Sequence, residues 1–250
     1  MKVLVEKREK ICTIIINRPE CRNAVDRETA SLLVESFEEY ERDRNLLAAV
    51  LYGKGGNFCA GADLRSIAKG DLKEINPLDF DMSKPGPMGP SRMRTSKPVI
   101  AAISGYAVAG GMELACWCDL RVVERGAVFG VFCRRYGIPL IDGGTQRIPR
   151  LIGMSRALDL ILTGRPVSAE EALDMGLANR LVERGKAREQ AEALALQIAA
   201  NPQPCMLSDR QSVYQGWELS MEAAMDLEFR LGMRVIDRGE LQAGAKRFSQ

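Results

Sequence analysis

Asn57-Phe58-Cys59-Ala60-Gly61-Ala62-Asp63-Leu64 and Ser104-Gly105-Tyr106-Ala107-Val108-Ala109-Gly110-Gly111-Met112-Glu113 are the stretches on which the reading of this 250-residue chain turns. Each follows an apolar run, residues 48–52 in one case and 98–104 in the other, that reads as a buried strand. Glycine and alanine let a main chain come close to a ligand. Together the two segments are therefore placed to offer two backbone N–H groups to one oxygen. Fixed donors of that kind lower the barrier to an anion developing on a carbonyl by about 3–4 kcal/mol. Gly110 also stands where a helix is predicted to begin, and a helix N-terminus favours negative charge. Glu113, in the first turn of that helix, is a candidate proton carrier; an acid favoured there by the helix dipole alone is the competing reading.

Outward from these segments, residues 3–6 and 11–17 read as a hairpin split by the charged turn Lys7-Arg8-Glu9-Lys10. Residues 26–44 carry Leu32, Leu33, Phe37 and Tyr40 near helical spacing among charges. Residues 120–123, 128–130 and 178–182 read as further strands, alternating with helices. One helix covers 111–117, and another is opened by the capping box Ser168-Ala169-Glu170-Glu171 and stopped by Gly176. The segment 76–90, with prolines at 77, 85, 87 and 90, reads as a loop, mobile over a site. From Lys186 onward the pattern is helical, broken at Pro202 and Pro204, with Trp217, Met221, Met225 and Phe229 along one face. Strands early and helices late predict an α/β core, residues 1–195, followed by an α-helical region, residues 196–250.

Composition narrows the chemistry. The chain has no histidine, which excludes a Ser-His-Asp triad, a Cys-His pair, an imidazole base and His-ligated zinc; no metal site is expected. Proton transfer near neutral pH falls to carboxylates, Cys, Tyr, Lys or water. Thirty-five Lys plus Arg against 33 Asp plus Glu give no electrostatic case for nucleic acid or an anionic membrane. Seven cysteines without C-x-x-C spacing predict reduced thiols. No apolar run approaches the roughly 20 residues of a membrane span, and the N-terminus turns charged at once, so a cytoplasmic protein is expected.

The two glycine segments, in this order and followed by Asp142-Gly143-Gly144-Thr145-Gln146-Arg147, resemble the crotonase (enoyl-CoA hydratase/isomerase) superfamily over residues 3–200. The resemblance implies a crotonase-like ββα spiral core with an α-helical C-terminal trimerisation region, assembled as a homotrimer or dimer of trimers. It implies an acyl-CoA thioester substrate and no cofactor beyond the coenzyme A that the substrate carries. An enolate would be held by the N–H groups of Ala62 and Gly110, with Glu113 as general acid/base. Coenzyme A is expected along Arg22, Ala24, Ala60, Gly61, Ala62, Asp63 and Leu64, largely through main-chain groups. Arg22 either meets a phosphate or is a solvated surface charge. Asp63 is expected to orient its loop and Tyr106 to pack. Hydration or double-bond migration of a 2-enoyl-CoA is the expected reaction; decarboxylation, thioester hydrolysis and binding without turnover are the alternatives.

Two positions depart from the family pattern. The well-characterised hydratases share the reacting water between two glutamates, the second in a segment that usually reads F-G-x-P-E; here that segment is Phe129-Gly130-Val131-Phe132-Cys133. A thiol of ordinary pKa, about 8.5, is mostly neutral at pH 7. Cys133 is expected to line an apolar pocket, the alternative being a nucleophile activated by Arg134 and Arg135. Asp142 is the nearby acid that can replace the missing carboxylate. It lies one residue past Ile141, where dienoyl isomerases and an aryl-CoA dehalogenase of the superfamily carry an aspartate, and the expectation is that it caps the helix starting near Gly143.

Overall fold

The computed structural model of the chain describes residues 1–70 and 73–249, which form two compact units, Met1–Leu196 and Gln197–Gln250. The first unit opens with the hairpin β1 (Val3–Arg8) and β2 (Ile11–Ile16). The predicted four-residue turn is shorter than expected, because Lys7 and Arg8 continue β1 and leave Glu9 and Lys10 to make the turn, Glu9 at φ 53°. Helix α1 (Arg27–Arg42) follows, capped by Asp26, whose side chain accepts from Thr29 N. Then come β3 (Ala48–Gly53), a short helix α2 (Leu64–Lys69), β4 (Val99–Ile103), β5 (Tyr106–Val108), α3 (Gly110–Trp117), β6 (Leu120–Glu124) and β7 (Val128–Gly130). The unit is completed by α4 (Gly144–Ile152), α5 (Met154–Thr163), β8 (Val167–Ser168), α6 (Ala169–Asp174), β9 (Arg180–Val182) and most of α7 (Ala187–Ala200). Of the predicted capping box of α6, Ser168 Oγ does accept from Glu171 N, while the Glu171 carboxylate pairs with Arg165 at 2.7 Å.

Six strands make the main sheet in the order β1-β2-β3-β4-β6-β9, antiparallel at the hairpin and parallel from β2 onward. Every residue of β2 is buried, as a strand covered on both faces requires, whereas β1 turns its charged residues to solvent and closes the sheet edge. Leu33, Phe37 and Tyr40 of α1 pack into the same core, and Phe37 meets Trp117 edge-on with ring centres 4.8 Å apart. A smaller sheet, β5-β7-β8, lies apart from the first. Because β3 and β4 are parallel neighbours, the chain leaves both at the same end of the sheet, the end at which open α/β sheets hold ligands. Both glycine segments begin there.

The second unit holds α8 (Gln203–Gly216), α9 (Met221–Asp237) and α10 (Glu240–Phe248), with Pro204 accommodated in the first turn of α8. Trp217, Met221, Met225 and Phe229 are all exposed, at 57%, 77%, 62% and 69%. Among the described residues no helix is long and apolar enough to cross a membrane.

The seam that joins α3 to the segment after β3 leaves no room for a side chain. A Cβ on Gly111 would fall 2.1 Å from the Cys59 carbonyl oxygen, a backbone atom that cannot swing aside. Gly111→Ala is expected to destabilise the protein by about 1–3 kcal/mol, the usual cost of overpacking. A urea unfolding curve with an unchanged midpoint would show that the seam can open at no cost.

Candidate active site

Three segments lie side by side at this end of the sheet. Phe58 N donates to Ser104 O at 2.7 Å, Cys59 N to Tyr106 O at 2.9 Å, and Val108 N back to Cys59 O at 3.0 Å. On the other side Ala60 N donates to Arg22 O at 3.0 Å, Val25 N to Gly61 O at 2.8 Å and Asp63 N to Val25 O at 3.0 Å. The residues expected to meet coenzyme A, Arg22, Ala24 and 60–64, are thus brought into one strip. Two polar side chains that sequence reasoning missed hold it. Buried Asn23 donates to Lys54 O at 2.9 Å and Asn57 O at 2.7 Å, and Arg18 pairs with Asp63 at 2.9 Å and Asp26 at 3.3 Å. Asp63 orients its surroundings doubly, since its other oxygen accepts from Arg65 N and caps α2. Arg22 is exposed, with its guanidinium 5.3 Å from the centre of the Tyr106 ring. Tyr106 does not pack as expected. Strand β5 buries Ala107 and Val108, while Tyr106 at its first position is 37% exposed.

The strip brings the two candidate donors together. A Cβ on Gly61 would lie 2.9 Å from Gly110 N and 3.0 Å from the Ala109 methyl, so only glycine, here at φ 94°, permits the approach. No described residue accepts a hydrogen bond from Ala62 N or Gly110 N, and both residues are partly exposed. Ala109 precedes the helix at φ 53° and ψ −127°, a conformation that L-residues rarely adopt and that costs about 1–3 kcal/mol. Surrounding bonds hold it there: Ala109 N donates to Gly130 O at 2.8 Å, and Ala109 O accepts from Met112 N at 3.0 Å and Glu113 N at 3.2 Å. The strain aims Gly110 N outward at the first position of α3.

Glu113 is 2% exposed. Its Oε1 accepts from Asp142 N at 2.9 Å and Gly144 N at 2.8 Å, and no described residue donates to Oε2. A Cβ on Gly144 would sit 2.9 Å from both Glu113 Cγ and Oε1, so this glycine is also a condition of the contact. Burial raises the Glu113 carboxyl to a pKa of about 7; the Asp142 charge adds to the rise, while the Gly144 and Asp142 N–H groups and Arg147 oppose it. An acid with that pKa both accepts and gives a proton near neutrality.

Cys133 is 7% exposed, in the 3-10 turn Phe132–Tyr136 that follows β7. Burial and the Glu113 charge push its thiol up, and Arg134 offsets them only in part. The thiolate that a nucleophile needs is therefore disfavoured. The expected cap at Asp142 is not formed. Gly143 is the N-cap of α4 at φ 92°, without a side-chain cap, and that left-handed turn carries Asp142 away from the free N–H groups of the helix. Its carboxylate instead accepts from Met88 N at 2.9 Å and from Ser91 Oγ. It is 4% exposed, and burial raises its pKa against the pull of Ser91 and Met88.

The loop 76–90 accordingly has two parts. Leu78, Phe80 and Met82 are exposed, whereas residues 86–90 are buried, with Asn76 Nδ2 donating to Pro87 O. The Met88 thioether rests against Gly110, 2.7 Å from where a Cβ would stand. The prolines signal a loop, but its docked end depends on Asp142 and Arg147, far along the chain.

The family model described as enoyl-CoA hydratase/isomerase matches residues 6–250. The chain is 35% identical over 231 residues to the short-chain-enoyl-CoA hydratase of Clostridium acetobutylicum, covering 90% of this chain and 86% of that protein. It is 32% identical to enoyl-CoA hydratase EchA19 of Mycobacterium tuberculosis, over 99% of this chain and 93% of that one. A crystal structure of an enoyl-CoA hydratase from Mycobacterium tuberculosis H37Rv superposes with a TM-score of 0.92 at 35% identity, covering 99% of this chain and 95% of the other.

The raised pKa of Glu113 has a thermodynamic signature. Its ordinary value is 4.5 and its folded value about 7, so the folded state holds the extra proton between them. The stability this contributes is complete below about pH 4.5 and is lost as the pH rises through about 7. Glu113→Gln, whose amide oxygen can still accept both N–H groups, lacks that dependence. Its unfolding midpoint is expected to gain on the wild type between pH 5 and pH 8. A difference that stays flat over that range would return Glu113 to an ordinary carboxyl pKa.

Proposed function

Because the chain belongs to the enoyl-CoA hydratase/isomerase family and has its fold, we propose that it adds water across the double bond of a 2-enoyl-CoA thioester with a single carboxylate, Glu113, as the proton carrier. The observation that carries the reading is the Glu113 carboxyl itself, buried, fixed through Oε1, open at Oε2 and in the first turn of the helix that starts at Gly110. The thioester oxygen binds to the N–H groups of Ala62 and Gly110. Water held by Oε2 attacks Cβ and passes a proton to the carboxylate, while the electrons of the double bond move onto the thioester oxygen as an enolate. Glu113 then returns the proton to Cα. Water has been added, the thioester is intact and Glu113 is regenerated. Addition of water is redox-neutral, so no cofactor is needed beyond the coenzyme A of the substrate.

Coenzyme A is assigned to the strip formed by Arg22, Ala24 and residues 60–64, with the adenine near Arg22 and the pantetheine along the main chain leading to Ala62. Cys133, at the place of the second glutamate, contributes a neutral wall. That replacement also supports a second reading, double-bond migration, in which the same carboxyl moves a proton between two carbons of the acyl chain. The exposed Trp217, Met221, Met225 and Phe229 support assembly as a homotrimer or dimer of trimers, with a mass in solution three or six times the 27.6 kDa of the protomer.

Incubation with crotonyl-CoA, 3-enoyl-CoA and malonyl-CoA esters, with products separated by chromatography and identified by mass and, for isomers of equal mass, by retention against standards, tests the reaction. A product heavier by one water from crotonyl-CoA supports hydration, and an unchanged panel in a protein that binds CoA esters would return it to a binding role. Glu113→Gln is expected to lower turnover by about two to four orders of magnitude with little change in affinity for a saturated acyl-CoA. Because the active form of Glu113 is the carboxylate, kcat/KM is expected to rise with pH through about 7 to a plateau. A bell-shaped profile with a second limb below pH 9 would indicate a second acid in the reaction. Cys133→Glu is expected to introduce such a limb.

A further inference from the structure

Gly110 and Glu113 stand on one helix, and the groups packed against them come from distant stretches of the chain, residues 142–144 on one side and the turn at residues 86–91 on the other. Asp142 touches both. We propose that Asp142 is the positioning residue of the site: its main-chain N–H fixes the Glu113 carboxylate while its own carboxylate fixes the turn that carries Met88 against Gly110, so that the proton carrier and the Gly110 donor are supported by one residue from outside their helix.

The contacts are specific. Asp142 N donates to Glu113 Oε1 at 2.9 Å. Asp142 Oδ1 accepts from Met88 N at 2.9 Å and from Ser91 Oγ. A Cβ on Gly86 would stand 2.9 Å from the same oxygen, so the turn closes tightly over the carboxylate. Met88, 1% exposed, places its thioether where any side chain on Gly110 would have to be. Arg147 clamps both ends, donating to Asp142 O at 2.8 Å and to Ser91 O at 2.7 Å. Oδ1 is thus occupied by two donors from the turn, which ties this carboxylate to residues 86–91.

Charge adds a second link. The titratable and charged groups around Glu113 are Asp142 and Arg147 together with the thiols of Cys116 and Cys133, both kept protonated by burial. Among the described residues Asp142 is then the anion that acts on the proton carrier, with Arg92 and Arg147 moderating it. An anion there favours the protonated form of Glu113. This proposal rests on the reading of Glu113 and Gly110 given above.

Asp142→Asn separates the links, because the amide oxygen can still accept from Met88 N and Ser91 Oγ and the main-chain N–H is unchanged, while the charge is gone. A carbon NMR titration of the Glu113 carboxyl, assigned by its absence in Glu113→Gln, should give a lower midpoint in Asp142→Asn than in the wild type. The plateau kcat on crotonyl-CoA should stay within a few fold. Ser91→Ala, which removes one donor and leaves Asp142 charged, should lower kcat with little change in KM. Asp142→Ala, which also frees the turn, should cost more, up to about 100-fold, the scale of a misplaced reacting group. An unmoved Glu113 midpoint in Asp142→Asn overturns the proposal. So does a loss of kcat in Asp142→Asn as large as that in Glu113→Gln, which would make Asp142 a proton carrier itself, and so does wild-type kcat in Ser91→Ala. If the wild-type protein does not hydrate crotonyl-CoA, the functional reading fails, and the NMR midpoint still decides the role of Asp142.

Discussion

Main chain against main chain, closer than any side chain would allow, is the constraint on which the rest of this molecule depends. The carbonyl of Cys59 lies against Gly111, and Gly61 lies against Gly110. Neither contact survives a Cβ. Because they exist, Gly110 N at the start of its helix lies beside Gly61, and Ala109 before it is held at φ 53°. The energetic cost of that backbone is met by the parallel sheet, whose strands β2 and β4 are buried along their whole length.

Opposed effects of burial set the character of Glu113. Loss of water raises its pKa, and two main-chain N–H groups at 2.8 and 2.9 Å restore part of the lost solvation, on one oxygen only. The result is a carboxyl that is fixed in place yet poised near neutrality, with a second oxygen available. A chain without histidine needs such a group if it is to move protons at neutral pH. Cys133 and Cys116 face the same burial without compensating donors of that strength and remain thiols.

Local pattern carried the strands of the main sheet, β7, α1 and α3, because period-2 and period-3.6 burial leave marks within a few residues, whereas β5 and β8, of three and two residues, were not read. The hairpin turn was misplaced because Lys7 and Arg8 sit on an edge strand, where charge and strand are compatible. Helix α2 escaped because its six residues, Leu64–Lys69, show no periodicity. In the site, Ala62, Gly110 and Glu113 were named through the resemblance that the glycine segments carry. The contacts of Asp142 were not legible: as a helix cap it satisfies every local rule, and the competing donors, Met88 N and Ser91 Oγ, lie more than 50 residues earlier in the chain. The same holds for Asn23 and Arg18, whose partners Asn57 and Asp63 lie 34 and 45 residues later in the chain.

The parallel sheet has a kinetic meaning as well. Segments near residues 22–25, 58–63, 104–113 and 142–144 meet only after their crossovers have closed, and contacts of such separation form slowly and late. Isolated fragments of the chain contain the glycines and the glutamate but not their juxtaposition. Assembly of the candidate site is thus tied to completion of folding: residues 22–25, residues 58–63, and Glu113 with its partners at 142–144 come together only once the topology is closed.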